Sequence, residues 1–414
     1  RGSNAAATRI NSSGLIEKYR ENVLLQSNSF GTTWSNLSSS ETSGQEGYDG
    51  TTNAWLLTTT GAGGRLDQSV SLSGVQSFNI YAKANTFDFL FLLGLGASDR
   101  RANFDLTNGV VATTQNLIDS SIESIGNGWY RCSITYNDTI SGVRVLGLQA
   151  DNNFTGTSGS IYIQNAQLET SLVATDYLNS TSVTAKAGVL IDLPRINFDA
   201  NGENGALLLE PSRQQLIQFS EYFGDSSWTK GEVTTTDNAV KSPDGYVNAA
   251  AMVENSAVTA YHRILPTSPF FATASAYYSF SVYVKKIAGQ PTRHIYWMCQ
   301  KGADAIYAHF DMDDFSVNEQ NDSGTGSVVD ADIVPVGNDW YRLTLSGIVT
   351  TAGGSSYNQL YFEDSPSTGF NPTPYTGNGS SGFEIYGWQI EAGSYVSSYI
   401  PNHGTSGGVT RAAD

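Results

Sequence analysis

Charge is scarce in this chain. Of 414 residues, 22 are basic and 39 acidic, 15% in all, against roughly 25% in an ordinary soluble domain. Positive charge is the scarcer sign, and the net charge of −17 excludes nucleic acid as a partner. A DNA or RNA binder needs Lys and Arg to displace phosphate counterions. Cysteine is limited to Cys132 and Cys299, too few for a disulfide scaffold or a cysteine zinc site, and both are expected as free buried thiols. The histidines (His262, His294, His309, His403) lack zinc-ligand spacing. No apolar run nears the ~20 residues that span a bilayer, and no basic amphipathic segment offers surface anchoring. The start, RGSNAAATRI, has neither an initiator Met nor an apolar signal core and is expected to be a processed end.

What is present is glycine (42 residues), aromatic residues at 11% and hydrophobic residues at 39%. That is enough apolar mass for packed cores and argues against disorder. Alternation of period two recurs, and long 3.6-residue periodicity does not. In FNIYAK (78–83), Phe78, Ile80 and Ala82 face one way while Asn79, Tyr81 and Lys83 face the other. Turn signals such as Thr107-Asn108-Gly109 and Pro243-Asp244-Gly245 separate the strands.

The chain is also a repeat. QSNSFGTTW (26–34) answers to FSEYFGDSSW (219–228), and Gly47-Tyr48-Asp49-Gly50 to Ser242-Pro243-Asp244-Gly245. FNIYAK (78–83) answers to FSVYVK (280–285), Phe104-Asp105 to Phe310-Asp311, and GNGWYR (126–131) to GNDWYR (337–342). IYIQNAQLE (161–169) answers to FEIYGWQIE (383–391). The order is the same, and the spacing drifts only by loop-sized insertions. The expected organisation is a leading boundary segment over 1–20, one β-sandwich module over 21–185, a linker hairpin over 186–213, and a second module over 214–414. The fold class is all-β: two tandem antiparallel β-sandwiches, with the jelly roll as the preferred topology.

The ordered set resembles modules of bacteriophage tail fibres and other virion appendages. Those open with an "NLL.YS..F....W" strand and a "PDG" turn, continue through "FSVYVKA" and "GWYR" strands, and close with "IY.WGAQLE.G....SYIPT...VTRAAD". The second module keeps IQFSEYF, SPDG, FSVYVK, NDWYR, IYGWQIEAGSYVSSYIP and VTRAAD; the first diverges, ending in QNAQLETSLVATDYL. The modules also resemble jelly-roll carbohydrate-binding modules. The resemblance implies a non-enzymatic, extracellular virion part that binds host-surface or environmental polysaccharide, alongside other virion proteins, with homotrimers common in such fibres. It also implies, for modules of this kind, a structural calcium near the first and last strands. An accessory glycan-binding region of a polysaccharide-degrading enzyme and a purely structural spacer are the alternatives.

Sugar binding rests on aromatic rings that stack on pyranose C–H faces. Trp34, Trp129, Trp228 and Trp340 repeat at equivalent points and are expected in the cores. Tyr81, Lys83 and Arg131 recur as Tyr283, Lys285 and Arg342 on the polar faces of central strands. Two readings are open for that set: a patch that holds an acidic polysaccharide, or a lock in which Lys and Arg pair with carboxylates such as Asp105 and Glu169. Tyr261, His262 and Arg263 add polar groups from a loop. In HIYWMC (294–299), Ile295, Trp297 and Cys299 read as core, leaving His294 and Tyr296 on a candidate binding face. Calcium needs six to eight oxygen ligands; the candidate ligands are Asp49, Gln167 and Glu169 in the first module and Asp244, Gln389 and Glu391 in the second. No dinucleotide, P-loop or GxSxG motif occurs, and no enzymatic activity is expected. The second module, with YGWQ where the first has QNAQ and with all the histidines, is expected to carry the stronger ligand site.

Overall fold

The computed structural model describes residues 6–190, 193–267, 276–349 and 356–414. All regular elements among them are β-strands, and the chain forms two tandem antiparallel β-sandwich domains. They divide into two compact units, Arg20–Ala187 and the segment up to Tyr19 with Gly188–Asp414.

In the Arg20–Ala187 unit two strands of 20 residues, Arg65–Ala84 and Trp129–Leu148, run antiparallel to each other through both layers. Their register slips between Ile140 and Gly142. On one side of that slip Arg65–Ala84 pairs with Gly159–Glu169, and on the other Trp129–Leu148 pairs with Phe89–Gly96. Trp34, Leu57, Phe78, Ile80, Leu92, Cys132 and Ile134 fill the space between the layers.

The other unit has its two layers as separate six-stranded sheets. In one, the order runs Val233–Val240, Ala249–Glu254, Gly382–Ala392, Tyr277–Lys286, Trp340–Ile348, Ser327–Gly337. In the other it runs Trp228–Gly231, Arg263–Pro266, Ser356–Glu363, His294–Lys301, Asp304–Asp311, Ser316–Ser323. The first and last strands of each module are neighbours, as a jelly roll requires: Arg20–Asn22 pairs Ala185–Ala187, and Arg213–Gln215 pairs Val409–Arg411.

The segments flanking the first module are hairpins grouped with the second. Thr8–Ile10 pairs Ile16–Lys18, and Arg195–Asn197 pairs Ala206–Leu208. Residues 1–5 of the leading segment lie outside the described residues. The second hairpin is tied down by buried charge: Arg195, 1% exposed, meets Glu210 at 2.9 Å and Asp414, and Arg411 meets Glu210 at 2.7 Å.

Between the two sheets, Trp297 and Trp388 sit edge to face at 5.5 Å, with Trp228 5.1 Å from Trp388. A buried indole N–H needs an acceptor. Asn358 Oδ1 accepts from both Trp297 Nε1 (3.1 Å) and Trp388 Nε1 (2.9 Å). The expected cost of Asn358→Leu is therefore about 2–5 kcal/mol, from two stranded donors. Urea denaturation followed by tryptophan fluorescence would read it, and an unchanged midpoint would rule the shared acceptor out as a stabilising element.

Candidate functional site

Each module anchors its last loop with a Gln-x-Glu pair. Gln389 Nε2 donates to Glu391 Oε1 (2.9 Å), which also accepts from Ser397 N (2.7 Å), and Ser397 Oγ donates to Glu391 Oε2 (2.6 Å). Ile400 N donates to Gln389 Oε1 (2.7 Å). In the first module Gln167 Nε2 donates to Glu169 Oε1 (2.7 Å), Thr175 N and Oγ1 donate to the same carboxylate (2.8 and 2.5 Å), and Leu178 N donates to Gln167 (2.7 Å). These four candidate calcium ligands are buried and spend their oxygens on the chain itself. Asp49 accepts from Thr51 Oγ1 at 2.6 Å, which holds its carboxyl below the usual range. Asp244 faces a cation already, Lys18 Nζ at 2.7 Å, and also accepts from Ser242 and Asn248. The six residues do not build an oxygen cage in either module; each carboxylate has found protein donors instead.

The Tyr–Lys–Arg sets are placed on the outer face of their sheets, as alternation requires, and there the structure corrects the expectation of an open patch. Tyr283 is 3% exposed, packed with Tyr386 (6.0 Å), Tyr399 (6.1 Å) and Ile16 of the leading hairpin. Tyr81 is stacked under Tyr48 at 4.4 Å. Arg342 lies 5.3 Å over the Tyr283 ring and donates to Ser281 Oγ and Ser397 O, both at 2.8 Å. Arg131 lies 5.7 Å over Tyr81 and donates to Asn79 Oδ1 (3.2 Å) and to Thr175 O. Both arginines thereby lock the last loop to the sheet through its carbonyls, with Ser281 and Asn79 rather than Asp105 or Glu169 as their side-chain partners. Lys285 is partly buried with Glu384 at 3.9 Å, and Lys83 is partly buried across from Tyr162.

The Gln-x-Glu strand reaches this geometry through a bulge. Asn165 and Gly387 occupy equivalent sites with φ of 54° and 60°. A Cβ on Gly387 would approach Tyr283 to 3.0 Å and Tyr399 to 3.2 Å, so the second module's closer ring packing requires glycine there.

The remaining candidates gather on the other sheet of the second module. Tyr261 is 45% exposed at its margin, 5.9 Å from Tyr361 and nearly perpendicular to it. Arg263 Nη1 donates to Gln359 Oε1 (3.1 Å) and the Tyr361 hydroxyl (3.0 Å), with its guanidinium 5.6 Å from the Tyr361 ring centre. Tyr296 extends the row, 5.8 Å from Tyr361, 5.6 Å from Tyr307 and 4.5 Å from His309. Tyr296 itself is buried beneath the loop carrying Phe370. His262 does not join this face; it is buried, with Nδ1 2.9 Å from Glu232 O and its ring 4.6 Å from Tyr375. Ile295, Trp297 and Cys299 are core, and Trp34, Trp129, Trp228 and Trp340 are all buried.

Gln359, Tyr361, Tyr307, His309 and Glu363 escaped the sequence reading. The signal was available: alternation in SYNQLYFE (356–363) and in IYAHF (306–310) puts them on the face of Tyr296. No linear motif joins the three strands.

No protein family matches this chain, and no curated protein matches it. Among solved structures it is similar to the N-terminal CBM22-1–CBM22-2 tandem domain of Paenibacillus barcinonensis Xyn10C. That comparison has 11% identity and a TM-score of 0.27 and covers 95% of this chain and 99% of the other.

Lys18 is held in the second module's unit between two buried carboxylates, Asp244 (2.7 Å) and Glu221 (3.1 Å). The Tyr386 hydroxyl lies 2.9 Å from both carboxylates. Burial opposes charge on Asp244, but Lys18 and the hydrogen bonds outweigh it and hold its carboxyl below the usual range. Its contribution to stability is thus present above the unfolded value and lost as pH falls through the lower folded one. Lys18→Met, which leaves buried carboxylates without their cation, is expected to cost about 3–5 kcal/mol at neutral pH. Urea midpoints for both proteins at pH 7 and pH 3 would show the difference shrinking in acid; an equal difference at both would refute the pairing as its source.

Proposed function

We propose that this chain is a non-catalytic, extracellular part of a bacteriophage tail fibre or similar virion appendage, and that its second module binds host-surface or environmental polysaccharide. The saccharide part of the reading rests on one observation, the exposed Tyr261 beside Arg263, Gln359 and Tyr361. A tyrosine ring offers a flat apolar surface to a pyranose C–H face at low conformational cost. The guanidinium and amide beside it are already oriented by their mutual hydrogen bonds, so sugar hydroxyls or a uronate carboxylate would meet directed partners. The virion part rests on the ordered motif set, from IQFSEYF to VTRAAD, that the second module carries.

The first module has Leu146 where the second has Tyr361, and Arg65 where it has Arg263, judged by their places in the strand registers. Arg65 is engaged by Asp67 at 3.1 Å. The second module is therefore the binding one in this proposal.

The full chain, probed against an array of bacterial and algal polysaccharides, is expected to bind a subset. Tyr261→Ala and Arg263→Met should each weaken binding about tenfold or more, a loss in the range of one desolvated aromatic or charge-assisted contact. Chelator should leave binding unchanged, because the carboxylates considered for calcium have protein partners. Binding that persists in both variants would move the site elsewhere. No binding to any polysaccharide would leave the structural spacer as the better account.

A further inference from the structure

The loop that follows Ser356–Glu363 crosses the tyrosine-rich sheet face as a strap, and its attachments are almost all polar. Gly369 N donates to Glu319 Oε2 (2.5 Å), Asn318 Nδ2 donates to Ser367 O (2.8 Å), and the Tyr296 hydroxyl donates to Phe370 O. Phe370 packs on Tyr307 at 5.7 Å. His309 sits at the centre of these contacts. Its Nε2 lies 2.8 Å from Gly369 O, and its Nδ1 lies 3.0 Å from Glu363 Oε2 and 3.1 Å from Ser367 Oγ. Ser367 Oγ donates its own hydrogen to Glu363 Oε1 (2.6 Å).

A backbone carbonyl and an ionised carboxylate can only accept. With one on each side of the ring, both His309 nitrogens must donate, so this geometry is that of the imidazolium. The other groups facing it favour the same form or are neutral: Glu319 on the adjacent strand, and the Tyr296 and Tyr307 rings at 4.5 and 6.0 Å. Burial works against the charge, but the bonds to Glu363 and Gly369 outweigh it and raise the pKa above its ordinary 6.5.

The first module supplies an internal comparison. Matching registers place Phe91 at the position of Tyr296, Leu146 at Tyr361, Leu148 at Glu363 and Asn103 at His309. There a strap also crosses the face, with Phe154 on Phe91 at 5.2 Å, and Asn103 Nδ2 donates to Asp151 Oδ1 (2.6 Å) and Asn152 Oδ1 (2.9 Å). That latch contains no imidazole, and what it covers is hydrocarbon: Phe91, Leu93, Leu146 and Leu148. In the second module the covered surface carries the hydroxyls of Tyr296, Tyr307 and Tyr361 in place of that hydrocarbon.

We propose that this hydroxyl-lined face is a covered extension of the saccharide site at Tyr261, and that the strap is a pH-sensitive lid on it, latched by protonated His309. The inference rests on the saccharide reading for its ligand and not for its latch. When His309 gives its proton to solvent, one of its two nitrogens loses its hydrogen and faces an acceptor with a lone pair, so one tie to the strap or to Glu363 is lost. The latch has both ties below the ordinary value of 6.5 and is weakened by the loss of one as pH rises through the higher folded value. Glycan hydroxyls can replace the strap's carbonyls on Tyr296 and its neighbours.

Hydrogen exchange of the full chain, corrected for the intrinsic pH dependence of exchange, tests the latch at residue level. Protection across 364–371 is expected to fall about tenfold or more between pH 6 and pH 9. The first module's strap, residues 149–157, should stay constant. His309→Asn, which installs the first module's residue, should abolish the step, and Glu363→Gln should shift it to lower pH. Protection that is flat from pH 6 to pH 9 in the wild type, or a step that survives His309→Asn, overturns the lid. Binding of laminarin and alginate, measured by affinity electrophoresis at both pH values, separates the two readings. Stronger binding at pH 9, lost with the step in His309→Asn, supports the covered site. A strap that loosens while neither polysaccharide binds better sinks the saccharide extension and leaves the latch.

Discussion

The central strands of these sandwiches are buried on both faces, so each sheet has to be roofed on its outer side as well as packed on its inner one. Tyr278 through Val284 are buried in succession, as are His294 through Cys299 and Asp304 through Phe310. A strand that is buried on both faces in an antiparallel sheet is unusual, because such sheets commonly leave one face to solvent. Here the covers come from the chain itself. The leading hairpin and the last loop close over Tyr283, and the strap with Phe370 closes over Tyr296. Tyr48 does the same for Tyr81 in the first module, and Phe154 for Phe91.

The roofs explain where the polar residues of the sheets go. A loop laid across a sheet brings its own carbonyls and N–H groups into a place without water, and each must find a partner. Arg342 and Arg131 take carbonyls of the last loop, Gln389 and Gln167 take its N–H groups, and Glu391 and Glu169 take further N–H and hydroxyl donors. Residues with the right chemistry to hold calcium or an acidic sugar are thereby consumed in holding the chain. Recurrence in both modules is the mark of that role: the clamp is the same twice because the loop it holds is the same twice.

The repeat, the strand alternation and the all-β class were legible because they are properties of linear order. Phe78 and Phe280, Trp129 and Trp340, and the Gln-x-Glu pairs stand at matching points of two similar strings. Whether a face is open is not such a property. Period two says that Tyr283, Lys285 and their neighbours share a side; it does not say that a hairpin from residues 8–18 comes to lie on that side. Tyr361, Tyr307 and His309 were missed for a related reason. Their neighbourhood is made by strand order in a sheet, with Ser356–Glu363 beside His294–Lys301 and not beside the strand that precedes it in sequence.

What distinguishes the modules is therefore found where the scaffold is held constant and the chemistry is not. Phe91 becomes Tyr296, Leu146 becomes Tyr361, Leu148 becomes Glu363 and Asn103 becomes His309, all within one sheet face under one strap. A cover over hydrocarbon is stabilised by the burial itself, and opening it exposes apolar area at roughly 25 cal/mol per Å². A cover over tyrosine hydroxyls gains less from closing, since those groups are hydrated as well by water or by a sugar as by a loop carbonyl. The second module's strap is held instead by a charged hydrogen-bonded pair, an interaction whose strength depends on protonation. Exchange of an apolar seal for a titratable one lowers the intrinsic cost of opening and makes it conditional, which is the change expected of a surface that has to be reached.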